Sequence, residues 1–322
     1  MRAIVGGPHG PRFDERPDRT PAPGECVVRV RSALTLRTDL EGAHRSAPST
    51  VALGEAFVGV VDVMHADAMG DRAKDARAWI GRRVAVDPVV RCGRCERCLA
   101  GLGAHCVERA LLGRDRDGGL AERVTVPIAN LVALPDGLDD ERAVFAVPVA
   151  RAIEATRHVR VEGKTYITVL GDGVEALVAT QVMTRLNASV RIVATDAETM
   201  AVAERLGVKH RLASEVGRRG DQHVVVDFTG VAESFAVAVQ LARPRGTVVL
   251  MRDIAGADLT PVARNELRVQ GCGHGPLPQA IDLLTQRAIE VVGLVTKRVA
   301  FAHAIDALNE SRDGVLVRCA TA

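Results

Sequence analysis

Four cysteines packed into fifteen positions constrain this chain more than any other feature. Cys92, Cys95, Cys98 and Cys106 follow the spacing C-x2-C-x2-C-x7-C and account for four of the seven cysteines in the sequence. Four thiolates converging from one tight loop meet the tetrahedral demand of a structural zinc ion, one per chain, and leave no position open for water or substrate. Such a site staples a loop and performs no chemistry. An iron–sulfur cluster takes similar ligands and stays open as an alternative. Pairing as two disulfides needs an oxidising compartment, and the N-terminus breaks at Gly6, Gly7 and Pro8 before it can form the apolar core of an export signal. The expectation is a reduced, cytoplasmic protein with its thiols held on metal.

Composition narrows the classes of partner. The chain has 322 residues and 47% hydrophobic side chains, enough for two cores, but only six Phe, one Trp and one Tyr. Stacking platforms for nucleic-acid bases are therefore not expected. A formal net charge of +2 gives no electrostatic reason for a nucleic-acid or anionic-membrane partner. No apolar run reaches the length of a spanning helix.

Residues 1 to about 142 read as strands and turns. Cys26 to Arg31 alternates with period two, Phe57 to Val63 is a second strand and Gly81 to Val86 a third. Ala66 to Trp79 is polar and reads as a loop or short surface helix. From residue 143 the pattern changes to strand and helix in alternation, the signature of a doubly wound parallel sheet. The predicted strands are Thr165 to Leu170, Val190 to Thr195, Val224 to Phe228, Thr247 to Met251, Leu267 to Val269 and, sixth, Glu290 to Leu294. Helices are expected at Val174 to Leu186, Ala197 to Leu206, Ala232 to Leu241 and Pro278 to Gln286.

Between the first of these strands and its helix lies Gly171-Asp172-Gly173-Val174-Glu175-Ala176, where a phosphate-binding turn belongs. Gly171 and Gly173 let the backbone approach a pyrophosphate, and Ala176 permits close helix–strand packing. Asp196, at the end of the next strand, is placed to accept both ribose hydroxyls. With Ala197 and Glu198 after it and no adjacent basic residue, NAD(H) is favoured over NADP(H). The alternative is a nucleotide-free Rossmann-like scaffold with a solvated Asp196, favoured by Glu175, which adds negative charge inside the turn beside the expected phosphates.

The cysteine loop followed by the glycine turn resembles the zinc-containing alcohol dehydrogenases of the medium-chain dehydrogenase/reductase superfamily. Gly54 to Val60, Gly118 to Glu122 and Leu241 to Val249 add to the likeness. The resemblance implies an α/β protein with a GroES-like β-barrel catalytic domain, residues 1–142 and 295–322, and an inserted Rossmann domain, residues 143–294. It also implies a small-molecule substrate and a homodimer or homotetramer. Arg318 resembles a family arginine that contacts the cofactor phosphates.

The departures concern catalysis. Where the family carries a cysteine two residues before Thr-Asp, this chain has Leu36 before Thr38-Asp39. The family's Gly-His-Glu reads Gly54-Glu55-Ala56 here, and Val147 precedes Pro148 where an acidic or cysteine ligand often stands. Leucine, alanine and valine cannot bind zinc, so the catalytic metal is expected to be absent. A site rebuilt from Asp39, Glu41, His44 and Glu55 is conceivable on chemistry but has no ligand spacing behind it. Thr38 matches the family hydroxyl that exchanges protons with the substrate oxygen. Glu55 is the second catalytic candidate, a carboxyl whose desolvation raises its pKa toward a useful acid. Leu36, Ala56 and Val147 favour an apolar substrate. The reading is thus an NAD(P)-dependent oxidoreductase acting on a carbonyl, alcohol or activated double bond. The alternative is a non-catalytic nucleotide-binding or interaction protein on the same fold.

Overall fold

The computed structural model describes residues 1–65, 78–217, 219–310 and 312–319, so the stretch expected at Ala66 to Trp79 lies almost wholly outside the described residues. The chain divides into two compact units. One comprises Met1–Val147, Leu277–Gln286 and Val295–Ala322, and the other Pro148–Pro276 and Arg287–Leu294.

The first unit is built on a seven-stranded sheet. Its central strand, Glu25–Leu34, pairs antiparallel with Ala56–Met64, Arg123–Pro127 and Val315–Arg318. Ala56–Met64 continues to Arg83–Val86 and then Leu131–Ala133, while Val315–Arg318 is flanked by Lys297–Ala300. The alternation seen at Cys26 to Arg31 arises because Cys26, Val28 and Val30 face a core with Phe57, Val84, Leu120 and Val317. The C-terminal stretch supplies Phe301, Ala304 and Leu308 to the same core.

The second unit is a six-stranded, all-parallel sheet in the order Lys209–Leu212, Ser189–Ala194, Tyr166–Leu170, Gln222–Asp227, Ala242–Leu250, Arg268–Gly271. Numbered along the chain this order is 3-2-1-4-5-6, the doubly wound arrangement in which ligands bind at the carboxyl edge where strand order reverses. Apolar runs such as Ile167, Val169 and Leu170 form the central strands because both faces are covered. The expected sixth strand is displaced. Glu290 to Leu294 holds a single 3-10 turn at Val292–Leu294, and the missing strand is Lys209–Leu212. Its sequence Lys-His-Arg-Leu carries no apolar run because it lies at the sheet edge.

Candidate functional site

The cysteine loop belongs to the first unit. Its base is closed by the short antiparallel pair Val89–Val90 and Ala110–Leu111, and a helical turn at Glu96–Leu99 and a 3-10 turn at Gly103–His105 fold the chain back on itself. The four sulfurs all lie within 4.8 Å of one another. Cys106 Sγ is 3.5 Å from Cys92 Sγ and 3.9 Å from Cys95 Sγ. A tetrahedron with zinc–sulfur bonds of about 2.3 Å has edges of about 3.8 Å, so the sulfurs fit a single ion. A multi-iron cluster spreads its four thiolates over two or more irons and needs those on different irons further apart. The backbone N–H groups of Cys92 and Glu108 each donate to Cys106 Sγ at 3.3 Å, the arrangement that stabilises thiolate charge. Among the described residues no other group of three or more His, Cys, Asp or Glu side chains converges in this way.

The three positions that lack family zinc ligands are apolar and buried: Leu36 and Ala56 are fully enclosed and Val147 nearly so. Between the first two stand the polar groups. Thr38 opens the helix Arg37–Ala43, and its hydroxyl donates to Glu55 Oε2 at 3.1 Å. Asp39 fixes this pair. Its carboxylate accepts the Leu36 N–H at 2.9 Å and the Gly54 N–H at 2.8 Å, tying the turn before Thr38 to the loop carrying Glu55. Burial pushes the Asp39 carboxyl up to about 7, with the Leu36 hydrogen bond opposing and the Glu55 charge adding to the rise. Glu41 is exposed and pairs with Arg37 at 3.2 Å, and His44 is exposed beyond the helix. Asp39, Glu41, His44 and Glu55 therefore do not form a ligand cluster.

In the second unit the glycine turn follows strand Tyr166–Leu170 and opens helix Gly173–Thr184. Gly171 has φ 139° and Gly173 φ 81°. A Cβ on Gly171 would stand 3.1 Å from the Phe228 Cβ and 3.5 Å from the Ala176 Cβ, which explains both the glycine and the small residue at 176. Asp172, whose role no sequence pattern marks, locks the turn to the second strand. It accepts from the Thr195 and Asp196 N–H groups at 2.8 Å each and from the Thr195 hydroxyl at 2.7 Å.

Asp196 caps helix Ala197–Arg205, accepting from the Glu198 N–H at 3.2 Å, the Thr199 N–H at 3.1 Å and the Thr199 hydroxyl at 3.0 Å. The residue expected at the ribose thus carries a structural duty as well. Glu175 does not face the phosphate-binding turn as a loose negative charge. Its carboxylate is buried between Arg151 at 2.7 Å and Arg252 at 2.6 Å, and Arg151 also donates to the Met251 carbonyl at 2.9 Å. Two guanidiniums against one carboxylate reverse the sign expected there. Arg318 ends strand Val315–Arg318 in the first unit with its side chain 61% exposed, 3.7 Å from Glu141, which also pairs with Arg298.

A four-cysteine loop fitted to a zinc ion on a β-sheet unit, a 3-2-1-4-5-6 parallel sheet with a glycine turn and, among the described residues, no catalytic-zinc ligand set are the marks of a dinucleotide-binding oxidoreductase class. The alcohol dehydrogenase GroES-like domain family matches residues 22–136. The starvation-sensing protein RspB of Escherichia coli K-12 is 28% identical over 330 residues, covering 95% of this chain and 94% of RspB. The structure of RspB from E. coli CFT073, solved with NADH, superposes with a TM-score of 0.84 at 27% identity over 98% of both chains. A Sinorhizobium meliloti 1021 protein solved with bound NADP superposes with a TM-score of 0.78 at 26% identity, again over 98% of both. The chain has the alcohol dehydrogenase-like medium-chain dehydrogenase/reductase fold and is similar over nearly its whole length to NAD(P)-dependent dehydrogenases and reductases. No helix among the described residues is long and apolar enough to cross a membrane.

Proposed function

We propose that this protein is an NAD(H)-preferring oxidoreductase that moves hydride between the nicotinamide and a small, largely apolar carbonyl or alcohol without a catalytic zinc. The observation that carries the reading is the Thr38–Glu55 hydrogen bond of 3.1 Å, held by buried Asp39 in a neighbourhood where Leu36 and Ala56 replace metal ligands. When bound, the nicotinamide supplies or receives the hydride. The chain must then handle one proton and the charge on the substrate oxygen.

In the geometry observed, the Thr38 proton is committed to Glu55, so its oxygen lone pairs are available to accept an alcohol proton. Oxidation of an alcohol then passes that proton to Thr38 as Thr38 passes its own to the Glu55 carboxylate. Reduction runs the same relay backwards from protonated Glu55, and the substrate oxygen ends as a hydroxyl. Preference for NAD(H) rests on Asp196, whose charge disfavours a 2′-phosphate, with Glu198 next to it. The relatives solved with NADH and with NADP show that the fold accommodates either.

Metal analysis and kinetics together test the proposal. The purified protein should hold one zinc per chain, turnover should survive removal of any loosely held metal, and Glu55→Gln should lower turnover of a responsive substrate by about 10²-fold or more. A second zinc whose removal abolishes turnover, or a Glu55→Gln variant with unchanged turnover, would contradict it.

A further inference from the structure

The amino edge of the parallel sheet, at the opposite ends of the strands from the glycine turn, carries a second polar site. In a doubly wound sheet both faces are normally covered by helices and read as apolar. Here one face changes character along its length. Leu170, Val193 and Val225 lie in the core with Phe235 of helix Ala232–Leu241.

Towards the amino ends the same face carries polar side chains, with Val225 level with Thr168 and Arg211 level with Val193. Thr168 pairs in register with Arg191 and Arg191 with Lys209, while Tyr166 pairs with Ser189 and Val193 with Arg211. Because side chains alternate along a strand, Tyr166, Thr168, Ser189, Arg191, Lys209 and Arg211 share that face. An open groove of about 720 Å³ is lined by Tyr166, Ser189, Arg191, Lys209 and Arg211 of this face.

The floor of the groove is a fixed hydrogen-bonded chain. Arg191 Nε donates to the Thr168 hydroxyl at 2.9 Å, Thr168 donates to Gln222 Oε1 at 2.8 Å, and Gln222 Nε2 donates to Asp221 at 2.6 Å. Thr168 and Gln222 are buried, so Arg191 is held in one orientation. Arg191, Lys209 and Arg211 have no carboxylate within ion-pair distance among the described residues, whereas arginines such as Arg2, Arg16, Arg31, Arg83 and Arg116 do. Glu204 and Asp221 line the same groove and supply the opposing charge, two carboxylates against three cations. Burial pulls the Arg191 guanidinium below its ordinary value, Asp221 opposing and Arg211 adding to the fall.

We propose that this groove is a second binding site, for a small multivalent anion held by Arg191, Lys209 and Arg211. Guanidiniums on adjacent strands offer the forked donors that phosphate and carboxylate groups accept in pairs. A volume of this size takes a small metabolite, and the polar floor excludes an apolar one. The site does not depend on the redox chemistry proposed above, because it uses none of the residues of the glycine turn or of the Thr38–Glu55 pair.

Calorimetric titration of the zinc-loaded full chain with pyrophosphate and, separately, with citrate, each with and without saturating NADH, tests it. Saturable binding that persists with NADH present is expected, and Arg191→Gln and Arg211→Gln should each weaken it by about tenfold or more. Stronger binding of pyrophosphate would assign a phosphate-bearing ligand, stronger binding of citrate a polycarboxylate. Arg211 is exposed, so its variant tests the site even if Arg191→Gln disturbs the sheet. No binding of either anion, binding abolished by NADH, or binding indifferent to Arg211→Gln would overturn the proposal.

Discussion

Asp39 decides the geometry of the candidate catalytic pair while touching nothing that reacts. Its folded pKa of about 7 lies well above the ordinary aspartate value of 3.8, the reverse of the usual carboxylate case. Between those values the native state holds a proton that the unfolded chain has released, so this group makes stability fall as pH rises from about 4 towards 7. Asparagine has no such dependence. Denaturant unfolding of wild type and Asp39→Asn at pH 5 and pH 8 should therefore show the stability difference moving in favour of the variant at pH 8; a difference independent of pH would refute the assignment. Thr38→Val keeps the shape and removes the hydroxyl, and it is expected to cut turnover by about 10²-fold with a smaller change in KM. The sequence made Thr38 and Glu55 visible through their positions, and Leu36 and Ala56 through what cannot bind metal. It could not reveal that the Asp39 carboxylate bridges two backbone segments, because Leu36 and Gly54 meet it only after folding.

Helix Gly173–Thr184 and the cysteine loop are the elements on which the two units depend. Glu175 sits in the first turn of that helix, and its two arginines come from distant parts of the chain, so an isolated acidic residue in a glycine turn gave no hint of burial. Glu175→Ala leaves two buried guanidiniums without their shared carboxylate and is predicted to cost about 3–5 kcal/mol, read by denaturant unfolding. A loss below about 1 kcal/mol would mean the pair of ion pairs contributes little. The cysteine loop, in contrast, was legible at once, since four thiols at close spacing carry their geometry in the sequence. Cys98→Ser should reduce bound zinc from one per chain towards none and make residues 92–106 the first site of proteolysis. The edge strand Lys209–Leu212 is not legible in the sequence for a physical reason: a polar edge has no apolar pattern to read, and the apolar Val291 and Val292 mimic one instead.

At the scale of the whole molecule, the doubly wound parallel sheet was legible from the alternation of strand and helix, with one of its six strands misplaced, whereas the strand order of the first unit's antiparallel sheet left no such pattern in the sequence. The preference between dinucleotides is harder, because Asp196 serves as a helix cap and as the proposed ribose acceptor together. Asparagine caps a helix about as well as aspartate but carries no charge, so Asp196→Asn separates the two duties. The most direct measurement is a fluorescence titration of the zinc-loaded protein with NADH and with NADPH, repeated on Asp196→Asn. Tighter binding of NADH than of NADPH by the wild type, with the gap narrowed by about tenfold in the variant, is the predicted result. If neither nucleotide binds to a protein that is folded and holds its zinc, the oxidoreductase account is wrong and the chain is a zinc-stapled scaffold acting through its contacts.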